Sequence, residues 1–326
     1  PYTTLFRSPL LFYYAYFFCF FFFVILLRLI VSAVLFCFVF FCIVFLQSFI
    51  VSAAEHQDAA LYMMRLINDT RKTPLNALTD IGLDKTTAQT NLGMDAWVLD
   101  QGLPPLAGNP KLYASALDHA NDMSTNLYYS YDSQNGDTVQ DRIKSKGFEF
   151  ISAGESLGIL SFDKYIEPQQ AAKVIFDNIL AYELGDSILP SNRNILNQDR
   201  TQIGIAFVSL VADLGLDVPV NIYLVVADFG KSVQPKNFII GNISLKTIDY
   251  PLFKPQNAIE GVDIVLKRLS EQKEDTIISY TMGFFQFEMP FGFFALDAVD
   301  KTGNILDSKK YFAQDKNIFF DLFVDN

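Results

Sequence analysis

Beyond residue 42 the chain has no cysteine: Cys19, Cys37 and Cys42 are its only three. That absence removes a disulfide framework, a CxxC redox pair, a thiolate metal site and a cysteine nucleophile from everything downstream. Histidine is nearly as scarce, with His56 and His119 alone. The first 54 residues have no Asp or Glu, and no block of Lys or Arg occurs anywhere. The whole chain of 326 residues sets 25 Lys and Arg against 36 Asp and Glu, a net charge of −11. Only Arg7 and Arg28 precede residue 55, so residues 55–326 keep 23 basic side chains against 36 acidic ones, a net of −13. Phosphate binding depends on Lys and Arg displacing counterions, so an acidic body without a basic stripe is not a nucleic-acid binder.

What is present divides into unlike regions. Residues 9–46 are almost wholly apolar, and 14 of the 32 Phe lie within the first 54 residues. The positive mean hydropathy of +0.22 comes mainly from this stretch. There is no Met before Met63, and Tyr2 to Ser8 (YTTLFRS) is the translation of the end of a common sequencing adapter. Residues 1–8 are therefore expected to be an assembly artefact and are excluded from fold reasoning. Residues 9–53 read as a signal peptide or membrane anchor. Arg28 supplies a positive start, Leu29 to Leu46 an apolar core, and Val51-Ser52-Ala53 small residues for cleavage before Ala54. An apolar run of this length also suffices to span a bilayer, which keeps the uncleaved anchor open. Either way residues 54–326 are expected outside the cytoplasm, secreted or periplasmic, touching a membrane only through the leader.

Residues 54–230 pattern as helices against an antiparallel sheet. Leu61, Met64, Leu66 and Ile67 recur at helical spacing and predict a helix from Gln57 to about Arg71, broken at Pro74. Asn109-Pro110 predicts a capped helix start running to about Asn126. Further helices are expected over Val139 to Lys146 and Pro168 to Tyr182. A strand is expected over Phe148 to Ala153, and a hairpin over Gln202 to Val211 and Val220 to Phe229. Residues 231–236 read as a linker. From 237 to 326, strand-length runs at 238–246, 260–267, 275–281, 284–289, 293–298 and 317–324 predict a small β-sandwich. The fold class is α+β: an α/β/α sandwich followed by an all-β module.

Leu61 to Arg71, Leu103 to Met123, Tyr128 to Phe148, Gly154-Glu155-Ser156, Asn192 to Phe207 and Val220 to Gly230 follow one another in an order that resembles the CAP superfamily, the group of cysteine-rich secretory, antigen 5 and pathogenesis-related-1 proteins (SCP-like), in its bacterial exported form. Residues 281–296 (TMGFFQFEMPFGFFAL) resemble a carboxypeptidase-regulatory-like, transthyretin-like β-sandwich, a module that is structural or binding rather than catalytic. The CAP resemblance implies a cleft of two His and two acidic residues that in some members holds a divalent metal. Carried onto this sequence, the first His falls at Tyr131, the second near Asn192, the first acid at Glu155 and the second at Glu183, with Asp177 the next candidate. Both imidazoles are missing, and one carboxylate beside a phenol and an amide is a poor zinc site, so no metal or other cofactor is expected.

Gly154 to Gly158 (GESLG) also matches the G-x-S-x-G nucleophile elbow, but no His follows His119 to complete a triad. His119 reads as a packed histidine bonding a carbonyl or carboxylate, with a pocket role as the alternative. Bonding reach to Glu155 across an open groove would move the reading towards catalysis. Asp132 to Asp137 reads as a turn. The leading expectation is a non-catalytic protein holding an unknown ligand or envelope component in a shallow cleft around Tyr131, Glu155 and Asn192. A hydrolase using Glu155 as base, on peptide or lipid, is the first alternative; a purely structural envelope protein is the second.

Overall fold

The computed structural model describes residues 53–185, 188–189, 192–212, 219–246, 254–269, 271–289, 292–313 and 315–325. The adapter-like start, the apolar leader up to residue 52 and the Asp/Gly loop at 213–218 lie outside them.

The first module opens with β1 (Ala54–Glu55), α1 (Gln57–Lys72), α2 (Pro74–Asp80), α3 (Lys85–Leu92) and the short α4 (Val98–Gln101). It continues with β2 (Ala107–Gly108), α5 (Pro110–Asn126), α6 (Val139–Ser145), β3 (Phe150–Phe162), α7 (Pro168–Glu183), β4 (Gln202–Ala212) and β5 (Val220–Ser232). Local chemistry sets these boundaries. Asn109 caps α5 by accepting the Lys111 and Leu112 amides, with Pro110 at the first helical position. Thr138 and Asp141 close a capping box on α6.

The sheet runs β1-β4-β5-β3, and β2 shares the outer side of β4 with β1. One face packs on α1 and α7 through Ile203, Ile205, Phe207, Val225 and Phe229. The other packs on α5 through Ala206, Val208, Leu224 and Val226. Those two sets alternate along β4 and β5, as a sheet buried on both sides requires. Close approach depends on glycine at two points. A Cβ at Gly204 would lie 1.9 Å from the Tyr113 amide nitrogen, and one at Gly158 would lie 2.2 Å from Ile175 Cγ2. The first lets α5 settle onto β4; the second lets α7 settle onto β3.

The second module has β6 (Phe238–Leu245), β7 (Asp263–Arg268), β8 (Lys273–Ile278), β9 (Phe284–Glu288), β10 (Gly292–Val299), β11 (Ile305–Ala313) and β12 (Ile318–Val324). They form a four-stranded sheet, β11-β10-β7-β8, and a three-stranded sheet, β12-β6-β9. The two share a core of Ile239, Ile264, Leu266, Phe285, Phe294, Leu296 and Leu322. β11 has no strand-length apolar run in the sequence, because polar Asp307, Ser308, Lys309 and Lys310 interrupt its pattern. β5 continues to Ser232, so the linker expected at 231–236 starts two residues later.

The modules are joined by specific polar contacts within one unit, residues 51–326. Arg65 on α1 makes a two-pronged ion pair with Asp321 on β12, at 2.5 and 2.9 Å. Its guanidinium also lies 4.8 Å from the centre of the Phe319 ring. The Gln286 side-chain amide accepts from the Gly108 N–H at 2.7 Å and donates to the Gly108 carbonyl at 2.9 Å, mimicking a strand neighbour. Asn317 donates to the carbonyls of Pro105 and Thr201, both at 2.9 Å.

Candidate functional site

Two adjoining arrangements occupy the side of the first module where β3 forms the sheet edge. The inner one is a buried ionisable cluster. Glu155 on β3 and Asp228 on β5 are directly opposite in the antiparallel ladder, facing α5. Glu155 is 6% exposed and Asp228 0%. His119 on α5 places Nδ1 3.0 Å from Glu155 Oε1, and Arg142 on α6 donates to the same oxygen at 2.7 Å. Arg142 also donates to the carbonyls of Tyr131 and Asp137 at 2.9 Å and to Ser133 Oγ at 3.0 Å. One guanidinium therefore anchors the 131–137 loop to the carboxylate.

Burial pushes the Glu155 carboxyl up, against the pull of Arg142. Burial and the facing Glu155 push the Asp228 carboxyl well above its ordinary value. Repulsion between two adjacent buried carboxylates adds to the cost of burial and favours the protonated form of the pair. Burial, then Arg142, lowers His119 to about 4, so the imidazole is neutral at pH 7.

That shift has a definite consequence for stability. A histidine lowered on folding contributes stability that is whole above its ordinary value of 6.5 and is lost as pH falls through the folded value near 4. The acid pair, raised on folding, acts with opposite sign and loses its contribution as pH rises. The difference between wild type and His119→Gln isolates the histidine limb. The wild type should lose on the order of 2 kcal/mol more than the variant between pH 6.5 and 4, in denaturant melts. Parallel pH profiles for the two proteins would refute this assignment.

Glu183 lies on the opposite side of the sheet, at the end of α7. It accepts Ser156 Oγ at 2.6 Å and the amides of Asn194 and Ile195 at 2.9 and 2.8 Å. Burial raises its carboxyl against these donors. Asn194 donates to Ser156 Oγ and to the Glu155 carbonyl, each at 3.0 Å, and accepts from Arg200 Nε. Ser156 is thus a buried residue in the middle of a 13-residue strand, not the turn that a nucleophile elbow requires.

The outer arrangement is an open cleft of about 380 Å³. Its floor is Leu157, Gly158 and Ile159 on the edge of β3. One wall carries Tyr129 and Tyr131, and the other is α7 with Ile175, Asn178, Ile179 and Tyr182. The three tyrosines are 47%, 48% and 58% exposed. Burial first, then Tyr182 and Tyr129, raises the Tyr131 phenol to about 12, so it stays protonated.

The cleft expected around Tyr131, Glu155 and Asn192, with Glu183 and His119 as further candidates, does not form as one site. Tyr131 lines the open cleft. Glu155 and His119 meet each other with no accessible side-chain surface, although His119 and Arg142 also line a pocket of about 440 Å³ beside α5 and α6. Glu183 is enclosed behind the sheet. Asn192 is exposed and lines neither the cluster nor the cleft; the amide that joins Glu155 to Glu183 is Asn194, two residues on. Asp177 pairs with Lys173 on the surface of α7. Among the described residues no group of three or more His, Cys, Asp or Glu could hold a metal ion. The donors at the family's metal positions do not converge, so these residues do not fit that group.

Arg142, Asp228 and Asn194 were missed as site residues. Asp228 had a readable signal: an acid inside the apolar run Tyr223 to Phe229, where a buried charge needs a partner. Arg142 had none, because only the packing of α6 against β3 carries it to Glu155.

A three-layer sandwich with this carboxylate and cleft at one sheet edge defines a CAP-type domain. The family model for CAP, the Cysteine-rich secretory protein family, matches residues 64–226, and the chain belongs to that family. None of its three cysteines lies in the matched region. Among solved structures, the chain is similar to an extracellular protein containing a SCP domain from Bacillus anthracis str. Ames. Identity is 21% over 46% of this chain and 42% of that one, with a TM-score of 0.27. It is also similar to the Bacillus anthracis TIE protein, at 9% identity over 85% of this chain and 56% of that one, with a TM-score of 0.21. The chain thus spans less than two thirds of either. No curated protein matches it at a significant level. Among the described residues no helix is long and apolar enough to cross a membrane.

Proposed function

We propose that this CAP-family protein is an exported binding protein of the cell envelope or extracellular space, which holds a ligand or partner in the tyrosine cleft without transforming it. The observation that carries the reading is the enclosure of Glu155. Its side chain has no accessible surface, and the oxygen that the neighbours reach is already taken by Arg142 and His119. A general base must come within hydrogen-bond reach of the proton it removes. The cleft beside it is open and uncharged. The apolar leader supports export. The all-β module, fixed by Arg65 and Gln286, serves as a spacer or adhesion unit.

One observation favours the hydrolase alternative: burial raises the Glu155 carboxyl and sets an imidazole beside it, as an acid–base pair would require. Glu155→Gln separates the two readings. Wild type and variant should both show no turnover of peptide or lipid-ester substrates. A wild-type rate that falls by a hundredfold or more in the variant would establish the enzyme. A purely structural role predicts that native mass spectrometry of the purified protein detects no bound species.

A further inference from the structure

The cleft floor is a sheet edge with an unpaired main chain. Among the described residues, β3 pairs with β5 on one side and with no strand on the other. In a strand, the N–H and C=O of one residue point to the same side, and alternate residues point to opposite sides. The Glu155 carbonyl points away from β5, since the Asn194 side chain donates to it there at 3.0 Å. Counting in twos, the N–H and C=O groups of Leu157, Ile159 and Ser161 also point to the open side. Among the described residues no hydrogen bond reaches those of Leu157 and Ile159, and both residues line the cleft.

Edges of this kind are ordinarily blunted by Lys, Pro or a bulge. The run Leu157 to Phe162 has no Lys and no Pro, and its ladder with β5 is regular. The edge is also recessed, between the Tyr129–Tyr131 wall and α7. A single extended segment fits between these walls more readily than the edge of a second copy, which carries walls of its own. None of the nine lining residues is charged.

We propose that the cleft takes an extended polypeptide segment, added as a strand to the edge of β3. The bound segment hydrogen-bonds to the main chain of Leu157, Ile159 and Ser161, and its alternate side chains lie against Tyr129 and Tyr131 on one side and Tyr182 on the other. The length from Leu157 to Ser161 accommodates on the order of five residues. Uncharged residues fit the centre. Basic residues fit the ends, because the surrounding body has a net charge of −13 and steers cations towards it. This deepens the binding reading above and rests on it.

The test pans a random dodecapeptide phage library on the immobilised full chain, with a neutral-glycan array run in parallel. Enriched peptides are resynthesised with and without N-methyl groups on alternate amides. Binding is also measured to Ile159→Pro, which removes one outward N–H while Gly158 and Leu160 keep the ladder to β5, and to Tyr131→Ala. Strand addition predicts enriched peptides with apolar centres and basic ends. Affinity should fall at least tenfold on N-methylation in one register, in Ile159→Pro and in Tyr131→Ala. Peptides that tolerate N-methylation in both registers would overturn the proposal even if Ile159→Pro failed to fold. So would the absence of any enriched peptide. Glycan capture that is lost in Tyr131→Ala alone would overturn strand addition and leave the binding reading standing. A concentration-dependent dimer that Ile159→Pro dissociates would mean that the edge pairs with itself, which also overturns it.

Discussion

Replacing Arg142 by Met is expected to destabilise the protein by about 3–5 kcal/mol, the usual consequence of leaving one half of a buried ion pair behind. The loss has two parts. Glu155 loses the donor at 2.7 Å that offsets its burial. The carbonyls of Tyr131 and Asp137 and the Ser133 hydroxyl lose theirs. Adding Glu155→Gln removes the uncompensated charge but not the loop contacts, so the double variant should regain roughly 2 kcal/mol, a coupling typical of residues in direct contact. Chemical denaturation of wild type, both single variants and the double variant closes the cycle. Strict additivity would mean that Arg142 does not act through Glu155. Because Arg142 also fixes the Tyr131 main chain, the tyrosine cleft should loosen in the single variant, readable as faster amide exchange over residues 129–137.

The second large effect is expected at Arg71, which is 1% exposed and lies at the end of α1. Its guanidinium has carbonyls as its hydrogen-bond partners. Nε donates to Pro104 at 2.8 Å, Nη1 to Ile195 at 2.8 Å and Asn197 at 3.0 Å, and Nη2 to Arg200 at 3.1 Å. Burial, then the neighbouring Arg200, lowers its guanidinium to about 9, so it remains charged at pH 7. Met in its place fills part of the volume and leaves the Pro104, Ile195 and Arg200 carbonyls without these donors, while the Asn197 carbonyl keeps the Arg200 N–H. At about 1–3 kcal/mol for each group, partly relieved by water, a loss of roughly 4 kcal/mol or more follows. The melting midpoint should drop by about 10 °C. Arg71→Lys should recover only part of it, since one ammonium cannot reach four carbonyls in a plane. A midpoint within 2 °C or so of wild type in Arg71→Met would show that the loop from 195 to 200 is held by other means.

Both predictions concern arginines that are unremarkable in the sequence. Arg71 ends an amphipathic helix, where a cation suits the helix dipole, and Arg142 lies in the last turn of a short helix for the same evident reason. Their actual partners are 33 to 129 residues away for Arg71 and 5 to 13 for Arg142. No local pattern encodes such reach.

The sequence by itself determined most of the elements, though not β11 or the full length of β3, and it pointed to the family. Helical periodicity over Gln57 to Arg71, the Asn109-Pro110 cap and the strand-length runs beyond residue 237 are local signals. A helix or strand forms where its own residues favour it and bury one face. The ordered motifs around Leu61 to Arg71, Gly154 to Ser156 and Val220 to Gly230 pointed to a CAP domain, the family that the chain belongs to. Tertiary structure alone decided which groups meet. Sheet order placed Glu155 opposite Asp228. Strand alternation sent Glu155 to one face and Ser156, with Glu183, to the other. The approach of α5 permitted by Gly204 brought His119 onto the carboxylate and closed it from solvent. A side chain's neighbours across a sheet depend on register and layer packing, sums over the whole chain that no stretch of residues contains.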